Sequence, residues 1–393
     1  MTGERDRLAS LTAAEWKDDV AFLGSELTKR HRDPYHFIPE ERLQGAIAKL
    51  LDQIPTMRSV DDIVVGIHRI TTAIGDGHTS LVTDQLYRSF PLETFWFGSE
   101  LRVIRTGPSL SDALGARIVR IGEHPIRRAC DLLRPLVQQA ENEWFALHKS
   151  ARLCTFAGPL LVQGILERGK PPEFTFVHDD GRTITLDPGE AMDASLDDWL
   201  DVRRTPPPTL QNPREALWYT VLDDASTVYA SFYSYRDIES NAADLWRLVD
   251  AKHPRRLVLD MRQNGGGNFA LGRQHLVYEA GFRPHVNRTG RLFVITGRAT
   301  FSAAMVNAVD FRRETEAIIV GEPPGARPTG YQELAQFSLP HSGLRVNCST
   351  HFYRFQDGEG TAVLPDKRID PDWEAYKAGR DPVMEWIREQ PSS

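Results

Sequence analysis

The sequence has little cysteine, no long apolar run and no excess of positive charge. Its three cysteines, Cys130, Cys154 and Cys348, stand far apart in 393 residues and match neither a metal-binding spacing nor a disulfide framework. We therefore expect three buried, reduced thiols, as in a cytosolic protein, and no bound metal. No apolar run approaches the ~18 residues of a membrane-spanning helix. The polar N-terminus, MTGERDRLASLTAAEW, is unlike a signal peptide. These absences predict a cytoplasmic protein without membrane contact.

The charge balance excludes further classes of protein. Lys and Arg number 47 against 54 Asp and Glu, which leaves a net charge of −7 at pH 7. Such mild acidity argues against a binding surface for nucleic acid or anionic lipid. The chain is long enough for two or three compact units with a sizeable core, and we expect no cofactor.

Three regions of different character follow one another along the chain. Residues 1–85 carry apolar positions at helical spacing and end in the turn Asp76–Thr79, which predicts an N-terminal helical region. Residues 86–205 mix short β-like runs with helical periodicity, and the proline-rich stretch at 203–208 is typical of a linker. Residues 206–393 then form a third region with the clearest pattern.

That third region alternates short apolar strands with helices. Strands are predicted at 228–233, 257–261, 292–296 and 317–320, each of the first three followed by a helix. This order predicts βαβ units and a largely parallel core sheet, in a chain that is α/β at its core and α+β overall.

Two loops follow strands of this sheet at the edge where ligands gather in parallel sheets. In the first, Gly265, Gly266 and Gly267 allow positive φ and a close approach of the backbone to a ligand. In the second, Ser302 lies at the start of a helix, where amide hydrogens and the helix dipole favour an oxyanion. The alternatives are a flexible turn for the glycines and simple N-capping of the helix by Thr300 or Ser302.

The third candidate is His78, in the turn that ends the N-terminal helices. Histidines are usually ordinary surface or core residues, and His78 on its own would be read that way. With an unperturbed pKa near ~6.5 it would suit a general base, with an ionisation between about pH 6 and 7.5.

Taken together, these segments resemble the C-terminal-processing, or tail-specific, serine peptidase family, which includes the tricorn core protease and retinoid-binding modules. The matching segments are Asp76-Gly77-His78-Thr79, Leu259–Gly267, Thr300–Ala304, Gly321-Glu322 and Pro365-Asp366. The resemblance covers roughly residues 60–393. It implies that Ser302 is the nucleophile and that the backbone N–H groups of Gly266 (or Gly265) and Ala303 form an oxyanion hole.

The resemblance departs from the tail-specific branch at the general base. That branch has a lysine 25 residues after the serine, where this chain has Arg327. Arginine stays protonated and cannot accept the serine proton. The tricorn-like branch has a histidine at the position of His78 and a carboxylate near the C-terminus, for which Glu359 is the nearest match and Asp357 the substitute. Arg327 is then expected to bind a substrate carboxylate or to hold its loop.

The middle region resembles a PDZ domain in part. Residues 114–122 look like its central segment, and a hairpin at 173–186 could supply its last strands. The helical insert between them predicts a remodelled module.

The sequence therefore predicts a serine hydrolase that cleaves peptide bonds through Ser302, with His78 as base. Its partner would be a peptide or a small amide or ester substrate. Two alternatives remain: an acyl or peptidyl hydrolase or transferase acting on a small molecule, and a non-catalytic module that binds a ligand in the same cleft.

Overall fold

The computed structural model describes residues 2–83, 86–191, 198–203, 205, 207, 211–212, 215–222, 226–358 and 360–391, with the backbone alone for residues 2–4. The chain divides into two units. The first unit comprises Met1–Ala140, Ala146–Val202 and Gly330–Tyr353, and the second comprises Glu141–Phe145, Arg203–Thr329 and Arg354–Ser393. The structure thus groups most of the predicted N-terminal and middle regions in one unit, together with a segment from late in the chain, while Glu141–Phe145 of the middle region belongs to the other unit.

The first unit begins with helices whose start signals are visible in the sequence. Thr12 and Glu15 form a reciprocal capping box, as do Ser59 and Asp62, and each satisfies amides at a helix start. The α-helices are Thr2–Ala9, Ala13–Arg30, Glu40–Gln53, Val60–Ala73, Ile126–Leu133, Ala157–Val162 and Glu143–Leu153, the last of which starts in residues grouped with the second unit. Short 3-10 helices lie at Ile54–Thr56, Pro108–Ala113 and Arg134–Leu136.

Two sheets complete the described part of the first unit. One has the order Ser80–Leu81, Arg345–Arg354, Thr329–Ser338, with Ser80 opposite Asn347. The other has the order Leu92–Phe97, Glu100–Thr106, Arg117–Ile121, Phe174–Val177, Thr183–Leu186, with the short strands His124–Pro125 and Leu200–Asp201 at its sides. The predicted hairpin is confirmed, since Phe174–Val177 pairs antiparallel with Thr183–Leu186.

One apolar core explains why the predicted first and second regions form a single unit. Buried side chains from Leu8 to Phe176 and from Phe337 to Cys348 pack in one continuous cluster. The N-terminal helices therefore share their apolar faces with the middle sheet and with the late segment. Helical periodicity reveals which face is apolar, but it does not reveal what covers that face.

The second unit contains the predicted parallel sheet. Its described strands follow the order Lys367–Arg368, Ile318–Gly321, Leu292–Thr296, Arg256–Asp260, Thr227–Phe232, Leu217–Val221, all parallel to their neighbours except the last. Its helices are Ile238–Lys252, Phe269–Gly272, Tyr278–Gly281, Ala303–Glu314, Trp373–Lys377 and Pro382–Glu389, and Arg273–Val277 is a π-helix. The α/β prediction is confirmed. Among the described helices we find none with the length and hydropathy that a transmembrane segment requires.

Burial explains why the strands of this sheet could be predicted from the sequence. Every residue of Arg256–Asp260 and of Leu292–Thr296 is buried, because helices cover the strands. Strands of this kind read as near-continuous apolar runs. The carboxyl ends of these two strands carry the glycine loop and the Ser302 loop.

Candidate active site

Ser302 stands between the strand Leu292–Thr296 and the helix Ala303–Glu314. Its backbone adopts φ 49° and ψ −124°, a region that costs an L-residue about 1–3 kcal/mol. Nine consecutive residues, from Ala303 to Phe311, are buried in the helix that follows. The buried strand and the buried helix fix both ends of this turn, so the strained conformation of Ser302 is held by its surroundings. Strain of this kind is concentrated at functional positions.

Neither hydroxyl of this turn caps the helix. The Ser302 side chain makes no capping hydrogen bond. The buried Thr300 hydroxyl donates to the Met261 carbonyl at 2.8 Å and accepts from the Gly297 amide at 2.9 Å. Thr300 therefore closes the turn onto the neighbouring strand, and the N-capping alternative has no support in the geometry.

The glycine loop lies directly against Ser302. Gly266 has φ 105°, and a Cβ atom added to it would lie 2.6 Å from the Ser302 Cβ and 3.1 Å from the Ala303 nitrogen. No larger residue fits between the loop and the serine without displacing one of them. A Cβ added to Gly265, by contrast, would meet nothing within 4 Å.

Asn264 holds the glycine loop in this position. Its side chain is fully buried, donates to the Phe232 carbonyl at 3.0 Å and accepts from the Gly266 amide at 2.9 Å. Its own carbonyl accepts from the Phe301 amide at 2.9 Å. Through its side chain and its backbone carbonyl, Asn264 thus connects two strand ends of the sheet to the residue that precedes Ser302.

These contacts distinguish the amides near the serine. The Gly266 N–H is already bonded to Asn264. For the N–H groups of Ala303 and Gly265 we find no acceptor within the described residues. Since Ala303 is the first residue of its helix, its N–H belongs to the set that the helix itself leaves unpaired.

A buried ion pair fixes the loop on the other side of Ser302. Arg298 and Glu322 are nearly fully buried and meet at 2.6 and 3.0 Å. The Glu322 carbonyl also accepts from the Thr296 hydroxyl at 2.8 Å. The loops that follow two adjacent strands are therefore tied together, which restricts the motion of the turn carrying Ser302.

The turn Asp76–Thr79 in the first unit is built around the Asp76 carboxylate. This buried group accepts from the backbone amides of His78 and Thr79 at 2.7 Å each, and from the Ser349 hydroxyl at 2.5 Å. The His31 ring meets its other oxygen at 2.7 Å. The carboxylate thus fixes both the turn and the strand that pairs with it.

The tautomer of His31 follows from its second partner. The Asp33 amide donates to Nδ1 of His31 at 2.9 Å, so Nδ1 carries no proton and Nε2–H donates to Asp76. Burial by itself would raise the pKa of Asp76. The hydrogen bonds from His31 and Ser349 outweigh that effect and lower the pKa of Asp76 to about 2.

The His78 ring is buried beside this carboxylate. Burial lowers the pKa of His78 to about 4, although the Asp76 charge and the Tyr331 backbone carbonyl both favour the protonated form. His78 is therefore a neutral imidazole near pH 7, with the capacity to accept a proton.

We expect Asp76→Asn to lower the unfolding free energy by about 2–4 kcal/mol. The reason is that the asparagine NH₂ group places a donor where a carboxylate oxygen now accepts from a buried donor. Lowering the pKa from 3.8 to about 2 stabilises the wild type by roughly 2.5 kcal/mol, at about 1.36 kcal/mol for each pH unit. That stability is present above pH 3.8 and is lost as the pH falls through about 2. Urea unfolding at pH 7 and pH 3 checks both statements. Ser349→Ala, which removes one donor, should cost less, and an equal loss in the two variants would contradict this account.

Two further predicted residues, Arg327 and Asp357, lie in loops of the second unit. Arg327 is half-buried and lies in the loop that joins the strands Ile318–Gly321 and Thr329–Ser338. Its backbone amide donates to the Glu141 carboxylate at 3.4 Å. Glu359 lies outside the described residues, and Asp357 is exposed. The structure therefore brings Ser302, Ala303 and the glycine loop together in the second unit, while His78 belongs to the first. In the described residues, no group of three or more His, Cys, Asp or Glu side chains is arranged to hold a metal.

Comparison with known proteins gives a match in structure alone. No protein-family model matches the chain, and no curated protein does. Among solved structures, CPAF complexed with lactacystin is similar at a TM-score of 0.60 and 11% identity, over 96% of this chain and 97% of that chain. A serine-to-alanine mutant of CPAF is similar at a TM-score of 0.62 and 11% identity, over 96% and 98%. The chain has the tail-specific serine peptidase fold.

A photosystem II D1 C-terminal processing protease is also similar, at a TM-score of 0.42 and 15% identity over 94% of this chain and 98% of that chain. The two CPAF structures confirm the predicted resemblance for the fold. Three residues that position the candidate site were not identified from the sequence: Asn264, which holds the glycine loop, and His31 and Ser349, which bond to Asp76. Asn264 stood inside the matching motif, so its position was visible. His31 and Ser349 carry no sequence signal, because they reach Asp76 only through folding.

Proposed function

We propose that the chain is a serine hydrolase that cleaves peptide bonds, with Ser302 as nucleophile. The observation that carries the proposal is the conformation of Ser302. It is held at positive φ at the N-terminus of a buried helix, in contact with a glycine whose backbone admits no side chain there. A nucleophile in such a turn meets free amides that can stabilise the charge formed by its attack.

The proposed reaction has two stages. The Ser302 hydroxyl attacks the peptide carbonyl and gives its proton to His78, and the carbonyl oxygen becomes an oxyanion. His78 then protonates the leaving amine as the C–N bond breaks, which leaves an ester on Ser302. Water, deprotonated by the same imidazole, hydrolyses that ester and restores the serine.

The oxyanion is proposed to bind the Ala303 N–H and one N–H of the glycine loop. The sequence offered Gly266 or Gly265 for the second donor. The bond from the Gly266 N–H to Asn264 favours Gly265. Gly266 then serves by its size, since it lets the loop lie against Ser302.

His78 is the proposed base because its buried, neutral imidazole can accept a proton at neutral pH. Arg327 cannot take that role, since a guanidinium stays protonated. We propose instead that Arg327 binds a carboxylate of the substrate, and that Glu359 or Asp357 completes the site.

A fluorophosphonate probe tests the activated serine, and a peptide mixture tests the substrate. We expect the probe to modify Ser302, seen by mass spectrometry of the digested protein, and to leave Ser302→Ala unmodified. Lactacystin, which CPAF binds, is expected to reduce this labelling. We also expect cleaved peptides with wild type that are missing with Ser302→Ala. Labelling without peptide cleavage would favour a small acyl substrate, and absence of both would favour a binding module.

Gly266→Ala is expected to lower kcat by roughly 10²–10³-fold, because the new methyl group displaces Ser302 or the oxyanion donors. Gly265→Ala is the matched control, because its Cβ meets nothing and its N–H is kept. We expect it to retain activity within about threefold of wild type. Steady-state kinetics normalised to folded protein checks both. Equal losses in the two variants would show that the contact between Gly266 and Ser302 does not matter.

A further inference from the structure

Two of the three cysteines are neighbours in the folded chain. The Sγ atoms of Cys130 and Cys154 lie 3.8 Å apart, within van der Waals contact, and both thiols are free. The sequence places them 24 residues apart and gave no reason to pair them. The expectation of a buried thiol holds for Cys154 and Cys348, whereas Cys130 is only half-buried. Cys348 lies elsewhere in the first unit.

Packing of the first unit brings the two thiols together. Cys130 is on the helix Ile126–Leu133, which buries Ala129 and Leu133 on either side of it. Cys154 directly follows the helix Glu143–Leu153 and is fully buried, and its amide bonds to the Ser150 carbonyl at 3.1 Å. Both cysteines border the same apolar core, so their approach is held by the elements that carry them.

We propose that Cys130 and Cys154 form a reversible oxidation site that closes to a disulfide when the protein meets a small-molecule disulfide. The distance carries the proposal, because a disulfide needs its sulfurs at ~2.05 Å, and side-chain rotation can supply a movement below about 2 Å. The accessibility of the two thiols sets their order of reaction. Cys130 is half-buried, whereas Cys154 is fully buried.

The reaction balances as two exchanges. The Cys130 thiolate attacks one sulfur of the small disulfide, forms a mixed disulfide and releases one small thiolate. Cys154 then loses its proton, attacks the Cys130 sulfur and releases the second small thiolate. Two protein thiols are oxidised to one disulfide, and one small disulfide is reduced to two thiols.

The ionisation of the pair agrees with this order. The hydrogen bond between the two sulfurs lowers the pKa of Cys130 and raises that of Cys154, so the more accessible thiol ionises first. Burial raises the pKa of Cys348 to about 11, which makes that thiol unreactive near neutral pH. Cys348 is therefore an internal comparison.

The experiment treats the full-length chain with oxidised glutathione and counts thiols after denaturation. We expect the count to fall from three to one, with an intact mass about 2 Da lower and no retained glutathione. A peptide linking Cys130 to Cys154 should appear in an unreduced digest. The cross-link closes a loop of about 25 residues. We therefore expect the midpoint of thermal unfolding to rise by roughly 5 °C on oxidation and to return to its original value on reduction.

Two variants serve as controls. After treatment with oxidised glutathione, Cys130→Ser, at a half-buried position, should keep its two remaining thiols and an unchanged midpoint of thermal unfolding. Cys348→Ser should form the disulfide as wild type does. A glutathione adduct that stays on Cys130, a link to Cys348, or three unreacted thiols in wild type would each overturn the proposal. The wild-type digest decides the matter even if a variant fails to fold.

Discussion

Ser302→Ala is expected to lower kcat/KM for a cleaved peptide by roughly 10⁴–10⁶-fold, because no other group of the proposed site can form the acyl-enzyme. The fold should remain, since Ser302 makes no capping hydrogen bond and alanine is smaller. The measurements are single-turnover kinetics and a thermal unfolding curve. A variant that retains full activity would remove Ser302 from the mechanism.

Ser302→Gly separates catalysis from backbone strain. Glycine adopts φ 49° and ψ −124° without the cost that an L-residue meets there. We expect Ser302→Gly to be as inactive as Ser302→Ala but more stable than it, by about 1 kcal/mol in unfolding free energy. The alanine variant is the matched control, as both lack the hydroxyl. If alanine proves the more stable, the turn is not strained as described.

His78→Ala is expected to lower kcat/KM by roughly 10³-fold or more, since the serine loses its proton acceptor. The wild-type pH profile gives the second readout. Because burial lowers the pKa of His78 to about 4, the imidazole stays neutral down to that pH. Activity should therefore be level through pH 6–7.5 and fall as the pH drops through about 4, where His78 gains its proton.

The control for this prediction is His351→Ala, at an exposed histidine of the same unit. It should retain wild-type rate and pH profile. An active His78→Ala enzyme with an unchanged profile would show that another group is the base. If the pH profile of wild-type activity has its midpoint between pH 6 and 7.5, His78 could still be the base, but its pKa would not be lowered by burial as described.

The sequence predicted four of the six described strands of the sheet in the second unit, each to within about one residue at either end, but not Leu217–Val221 or Lys367–Arg368. The predicted strands are buried, so their apolar runs are continuous, and each ends at a turn rich in glycine or polar residues. The helix predicted after the strand at 257–261 is present, but the structure has the π-helix Arg273–Val277 between its two α-helical turns Phe269–Gly272 and Tyr278–Gly281. The neighbouring residue Gly272 lies against Asn307 of another helix, a contact that local sequence does not reveal.

Among the site residues, too, those defined by local sequence were predicted and those defined by contacts with distant residues were not. Ser302 and the glycines were found because a strand, a turn and a helix start are local features. The role of Asn264 depends on the Phe232 carbonyl and the Phe301 amide, which belong to two other segments, and neither bond has a sequence signature. The Cys130–Cys154 contact joins two helical segments 24 residues apart, and spacing rules do not cover it.

By itself, then, the sequence determined that strands and helices alternate and that Ser302 lies in a turn at the start of a helix. It also determined that arginine stands at position 327, where the tail-specific branch has a lysine. These follow from the periodicity and chemistry of neighbouring residues, which act over a few bonds. Tertiary structure decided the environment of each group. It buried His78 beside Asp76 and moved its pKa from 6.5 to about 4, and it placed His31 and Ser349 on the same carboxylate. Desolvation and buried hydrogen bonds depend on what surrounds a side chain in space, and residues distant along the chain supply those surroundings.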